Sequence, residues 1–279
     1  MIFAERMQNK MHKRTTTILA GLGIAVFVVS RRLRSVDDAM WVRMVFARPV
    51  HQAAHRVLPG RNRDQQQPEQ GRFTRIDVQH LLEDMWHRYD VLASAVPIEP
   101  TLGSRMNVHL AVLSLACFQA LQAHGIERSY AIELFADLAW AIYEQWGRIP
   151  DVVARYLAQT ALQRLHLDVN AFLRFPFNPP GYAIERLVEG ESVAFNVRRC
   201  PIAEYLQAHD AADLCVASWC NLDYALAEMW GGHLERSGTL AGGDDLCDFR
   251  FIADQDAVHV KDKNKTATAT REGFAPIIG

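Results

Sequence analysis

The chain has 279 residues, 49% hydrophobic and 22% charged, which is enough apolar material for a sizeable core and too much for a disordered chain. Its 30 basic and 32 acidic side chains leave a formal charge of -2, so no global field draws it to polyanions, and this argues against a nucleic-acid partner. The five cysteines, Cys117, Cys200, Cys215, Cys220 and Cys247, are an odd number without a C-x-x-C spacing, a usage that predicts reduced thiols rather than a disulfide framework, a zinc ribbon or a redox dithiol.

The first element is the uncharged run TTTILAGLGIAVFVVS between Arg14 and Arg31, which a helix would stretch over roughly 24 Å against a hydrocarbon core of about 30 Å. Lys13, Arg14, Arg31 and Arg32 can snorkel to the two interfaces, so residues 1–34 are expected to form a single N-terminal membrane anchor. A cleaved signal peptide would need a small-x-small site, and none precedes RRLR. Basic residues flank both ends, so the positive-inside rule barely orients the segment; the reduced thiols place the body on the cytoplasmic side. From Arg31 to Leu58, Leu33, Val36, Met40, Trp41, Met44, Val45 and Val50 recur at near-helical spacing. That stretch reads either as a helix along the headgroups or as one packed on the body. Residues 59–72, PGRNRDQQQPEQGR, have the composition of a linker, and the domain is expected to run from 73 to 260 with a loose tail at 261–279.

From Ile76 to Leu165 the periodicity is helical, with stripes through Leu81, Leu82, Met85, Trp86 and Tyr89, through Val108 to Phe118, and through Ile132 to Trp146. Gly125 and Gly147 are read as stops and Pro150 as the start of a further helix. The prolines of FPFNPPG, residues 175–181, end this layer. Tyr182–Val188 and Ser192–Arg199 then alternate as an antiparallel hairpin, helices are expected over Pro201–Ala208 and Ala211–Trp230, and Cys247–Ala253 alternates as a further strand. The prediction is an α+β fold, with an N-terminal helical layer packed on a small antiparallel sheet and preceded by a single hydrophobic helix.

Three groups of residues are suited to chemistry. Cys200 stands where a strand gives way to a helix, with Pro201 in the first helical position. There it is either a thiolate favoured by the helix N-terminus, with Arg198 or Arg199 adding charge, or a small apolar residue filling a corner. On the first alternative it should be the most acidic thiol of the chain. Cys220 and Asp223 are three apart and share a helix face, whereas Cys215, five before Cys220, should point elsewhere into the core. The third group is HLERSGTLAGGDDLCDFRF, in which Gly238, Gly242 and Gly243 permit a loop whose N–H groups can approach an anion. Within it Arg236 offers a two-pronged match to a carboxylate, Thr239 a hydroxyl, Cys247 and Asp248 the start of a strand, and His233 an imidazole more often structural than catalytic. The cysteines lack paired metal-ligand spacing, so no metal and no cofactor is expected.

In succession, F-x-V-x-R-C-P (Phe195, Val197, Arg199, Cys200, Pro201), C-x-x-D (Cys220, Asp223) and R-x-x-T-L-A-x-G with C-D-F-x-F resemble the L-2-amino-thiazoline-4-carboxylic acid hydrolase family. The last block comprises Arg236, Thr239, Leu240, Ala241, Gly243, Cys247, Asp248, Phe249 and Phe251. The resemblance implies a hydrolase that opens a cyclic amidine at a non-peptide carbon–nitrogen bond of a small-molecule substrate. Its catalytic candidates are Cys200, Asp223, Cys220, Cys247 and Asp248, and its substrate-binding candidates are Arg236, Thr239, Gly243 and His233. The alternative is a membrane-anchored, non-catalytic ligand-binding or sensory module of the same fold. Oligomeric state is not legible.

Overall fold

The computed structural model describes residues 37–254 except 189 and 191, so the expected anchor and tail lie outside the described residues. Helix α1 (Asp38–Val57) is capped by the Asp37 carboxylate, which accepts from the Ala39 N–H. It buries Val42, Phe46, Ala53 and Ala54 in the main core, so of the two placements open to this stretch the described part packs on the body. Residues 59–72 are tied down as well. Gly60 N–H donates to the Phe73 carbonyl and Arg63 N–H to that of Gly71, while the Arg61 guanidinium pairs with Asp137.

Helix α2 (Arg75–Ala93) opens on a capping box in which Thr74 and Asp77 satisfy each other's backbone N–H groups. Helix α3 (Leu102–Ala123) opens on the same device, made by Thr101 and Ser104, and ends before Gly125, whose φ of 84° favours glycine. Among the described residues α3 is the one helix long and apolar enough to cross a membrane, but 78% of its apolar window is buried in the body. It is the central core helix.

Helix α4 (Arg128–Leu157) continues through Gly147 and Pro150, where the sequence predicted a break. Pro150 offers no N–H to the Trp146 carbonyl, and tertiary contacts on both sides of it hold the helix on course. The Trp230 indole donates to the Gly147 carbonyl at 3.0 Å, and Asp151 pairs with Arg155 at 2.8 Å and Arg164 at 2.6 Å. A Cβ at Gly147 would run into the end of the Leu226 side chain, which would have to shift to admit it.

Helix α5 (Ala161–Arg174) leads into the sheet. Strands β1 (Ala183–Arg186), β2 (Ser192–Arg199), β3 (Gly232–Glu235) and β4 (Cys247–Ala253) are all antiparallel, in the order β1-β2-β4-β3. Between β2 and β3 lie helix α6 (Pro201–Gln207) and a continuous helical stretch made of α7 (Ala212–Cys215), a π-helical turn (Val216–Cys220) and α8 (Asn221–Met229). The inward face of the sheet, with Val193, Phe195, Val197, Leu234 and Phe251, closes a second core against Leu165, Val169 and Trp230. The fold is therefore α+β, with helices over a small antiparallel sheet.

Asp168 on α5 is fully buried, and its two carboxylate oxygens have no hydrogen-bond partner. Burial, reinforced by Asp151, pushes its pKa from 3.8 up to about 7. In the unfolded chain the group ionises near 3.8, so between about pH 4 and 7 the unfolded state sheds a proton that the folded state retains. Stability falls over that window. Asp168→Asn, which mimics the protonated form, should flatten the decline and raise stability at pH 8 by up to about 4 kcal/mol. Denaturant titrations at pH 5 and pH 8 would decide it. An unchanged difference between the two pH values in the variant would assign the pH response to other groups.

Candidate active site

The end of β2 and the start of α6 meet at Cys200, which has extended backbone (φ -132°, ψ 107°) with Pro201 in the first helical turn. The predicted corner is therefore present, and the Ile202 and Ala203 N–H groups are bonded to the sulfur. Burial nevertheless dominates and pushes the Cys200 thiol up to about 12. A helix terminus contributes only about 0.3–1 kcal/mol, and the neighbouring cation is engaged elsewhere. Arg199 pairs with Glu99 at 2.7 Å and Glu204 at 2.9 Å and donates to the Gly181 carbonyl, because strand alternation turns it away from Cys200. The expectation that Cys200 is the most acidic thiol is thereby corrected.

Cys220 takes that place. It closes the π-helical turn, whose i→i+5 bonding brings residues five apart together, so Cys215 lies against Cys220 and its thiol bonds to the Cys220 sulfur. An α-helix would have set them roughly 140° apart, which is why the sequence reading assigned Cys215 to the core alone. The Cys215 thiol, then the Arg236 guanidinium and the Thr239 hydroxyl, hold Cys220 below its ordinary value against burial and Asp223. Thr239 sits at the start of the 3-10 turn Leu240–Gly242 and accepts the Gly242 N–H at 2.9 Å, which fixes its hydroxyl.

Arg236 follows β3 and is 3% exposed. Its guanidinium bonds to Asp223 at 3.2 Å and to the Cys220 carbonyl at 3.0 Å, and it lies 5.0 Å from the Tyr224 ring centre and 5.2 Å from that of Phe249. Burial pushes Asp223 up to about 6 although Arg236 pulls the other way. Cys247, the first residue of β4, accepts the Leu240 N–H at 3.2 Å, and burial pushes its thiol up to about 11.

Cys200, Cys220, Asp223, Arg236 and Cys247 all line one cavity of about 100 Å³ between the sheet and the helices, together with Cys215. Its aromatic wall includes Tyr143, Tyr182, Phe172 and Trp219. The hydroxyls of Tyr143 and Tyr182 were the missed signal, since a buried tyrosine needs a partner: Asn107 donates to the Tyr182 oxygen at 2.8 Å.

Thr239 reaches the site only through its bond to Cys220 and is not itself part of that lining, and three other candidates stand apart from it. His233 points outward because β3 alternates Leu234 in and His233 out, and its Nδ1 bonds to Asp254 at 2.9 Å. Gly243, with φ of 100°, closes the turn after Thr239. Despite partial burial, the Asp248 carboxylate is held low by the Ser237 hydroxyl and the Gly238 and Ser237 N–H groups, and it pins the loop that carries Thr239.

Chemically, the cavity pairs a thiol held toward its ionised form with a carboxyl group that retains its proton near pH 6, under a buried cation. A family model described as L-2-amino-thiazoline-4-carboxylic acid hydrolase matches residues 110–251, which extend from within α3 to β4 and include every residue named above as lining the cavity. No curated protein and no solved structure matches the chain.

Proposed function

The chain belongs to the L-2-amino-thiazoline-4-carboxylic acid hydrolase family, and from that premise we propose that it hydrolyses a small cyclic amidine of the aminothiazoline carboxylate type at a carbon–nitrogen bond. The observation that carries the proposal is the convergence of Cys220, Asp223 and Arg236 on one largely apolar cavity. Cys220 is the nucleophile. Its thiolate adds to the amidinium carbon, Asp223 gives its proton to the ring nitrogen, and the carbon–nitrogen bond breaks. Water then adds to the same carbon and returns one proton to Asp223; as the carbonyl forms, Cys220 leaves as thiolate and the hydroxyl proton passes to the released amine.

The protonated form of Asp223 has a second use. Once neutral, it no longer compensates Arg236, whose charge is then available to a substrate carboxylate. Catalysis should therefore decline as pH rises through about 6, where Asp223 loses its proton. Asp223→Asn should lower turnover by about 10²-fold or more and abolish that alkaline limb. The assay is release of a primary amine from aminothiazoline carboxylate by the purified full chain. An alkaline limb that persists unchanged in the variant would remove Asp223 from the proton transfer.

The N-terminal run motivates a separate proposal, that residues 1–34 anchor the protein in a membrane with the body on the cytoplasmic side. The full chain should then sediment with membranes and resist a high-salt wash; its recovery in the soluble fraction would refute the anchor.

A further inference from the structure

A cavity much larger than the reactive one lies among the described residues. It is a cleft of about 940 Å³ bounded by α1 to α5, near the top of the range of about 300–1,000 Å³ usual for ligand sites. Its floor is buried apolar side chains such as Leu81 and Leu82. Toward its mouth it leaves large apolar groups to solvent, with Ile149 64%, Leu157 52% and Phe175 42% exposed. Contiguous exposed apolar surface of this kind marks a binding site rather than packing. The charged residues that line it are Arg174, at the end of α5, and Arg186, at the end of β1; no carboxylate lines it. Arg186 is steadied by its 2.6 Å bond to Asn170, which also lines the cleft.

We propose that this cleft binds the hydrocarbon chain of a single-chain anionic amphiphile, a long-chain carboxylate, with the head group at Arg174 and Arg186. The apolar walls select a chain, and two cations without an acid select a negative head. A small polar aminothiazoline carboxylate has no chain to fill the space, so this occupant is distinct from the substrate of the cysteine cavity. The chain's own apolar run at 15–30 is a poorer match, because it carries Lys13, Arg14, Arg31 and Arg32 at its ends and would bring cations to cations. Tyr143, Phe172 and Trp219 line both cavities, so an occupant of the cleft touches the back of the reactive wall.

Binding to the full chain is read by calorimetry and by tryptophan fluorescence, since Trp146 and Trp219 line the cleft. The probes are octanoate, dodecanoate and dodecyltrimethylammonium, all below their micelle-forming concentrations. Dodecanoate should bind one per chain, and about tenfold or more tighter than octanoate because four additional methylenes are buried. It should also bind about tenfold tighter than the cationic probe, a preference that Arg174→Ala with Arg186→Ala removes. Ala171→Trp, an exposed position lining the cleft, should block uptake while leaving thermal unfolding unchanged. Equal affinity for the two head groups would overturn the proposal. So would no uptake by the full chain, the result expected if residues 15–30 fill the cleft. Neither result depends on turnover at the cysteine cavity.

Discussion

Cys220→Ser should lower turnover by about 10³-fold or more, whereas Cys200→Ser should change it by less than about tenfold. The contrast follows from environment. Both thiols line the same cavity, but the Cys215 thiol, Arg236 and Thr239 hold Cys220 toward the thiolate, while burial pushes Cys200 up to about 12. Serine is slightly smaller and more polar than cysteine, so unfolding curves of both variants are needed to separate a folding defect from the loss of the nucleophile. An alkylation rate that rises at lower pH for Cys220 than for Cys117, pushed up to about 12 by burial, would give the same ranking without a substrate. If Cys200→Ser abolishes turnover and Cys220→Ser does not, the nucleophile is Cys200 and the local field has been misjudged. A wild-type chain that binds aminothiazoline carboxylate without consuming it would instead favour the non-catalytic module.

Much of this site was legible because its parts are locally encoded. The strand-to-helix corner at Cys200 follows from alternation through Phe195 and Val197 and from Pro201, and the return of the chain at Cys247 follows from C-D-F-x-F. The helical layer followed from its stripes, whereas the caps at Thr74 and Thr101 that start two of its helices were not read from the sequence. What else escaped depends on distant partners. Strand β3 is four residues long and exists through its pairing with β4. Helix α4 survives Pro150 because Trp230 and Arg164 reach it from other elements. The neighbourhood of Cys215 and Cys220 depends on a π-helical turn that no propensity announces. The reversal of Cys200 from acidic thiol to buried one is a competition of magnitudes. The helix terminus was read correctly and desolvation outweighs it, which only the packing around the sulfur could reveal.

Arg236→Met should destabilise the folded chain at pH 8 by up to about 3 kcal/mol, the linkage ceiling for a carboxyl whose folded pKa rises from about 6 past that pH. Methionine keeps the apolar stem between Tyr224 and Phe249 and removes the charge, so the loss reports on Asp223 rather than on stacking. Without Arg236, burial acts on Asp223 unopposed, and its folded pKa climbs further above about 6. The wild-type fold already keeps this proton up to about pH 6, so the variant's additional penalty accrues only as pH rises from about 6 through the new folded value and is complete above it. Below pH 5 the variant should therefore approach the wild type, and Arg236→Met combined with Asp223→Asn should recover part of the loss at pH 8. Denaturant unfolding of the single and double variants at pH 5 and pH 8 measures all of these terms. A loss that is the same at both pH values, with no recovery in the double variant, would mean that Arg236 stabilises the site through its contacts with Tyr224, Phe249 and the Cys220 carbonyl, and that Asp223 is not the carboxyl whose proton it governs.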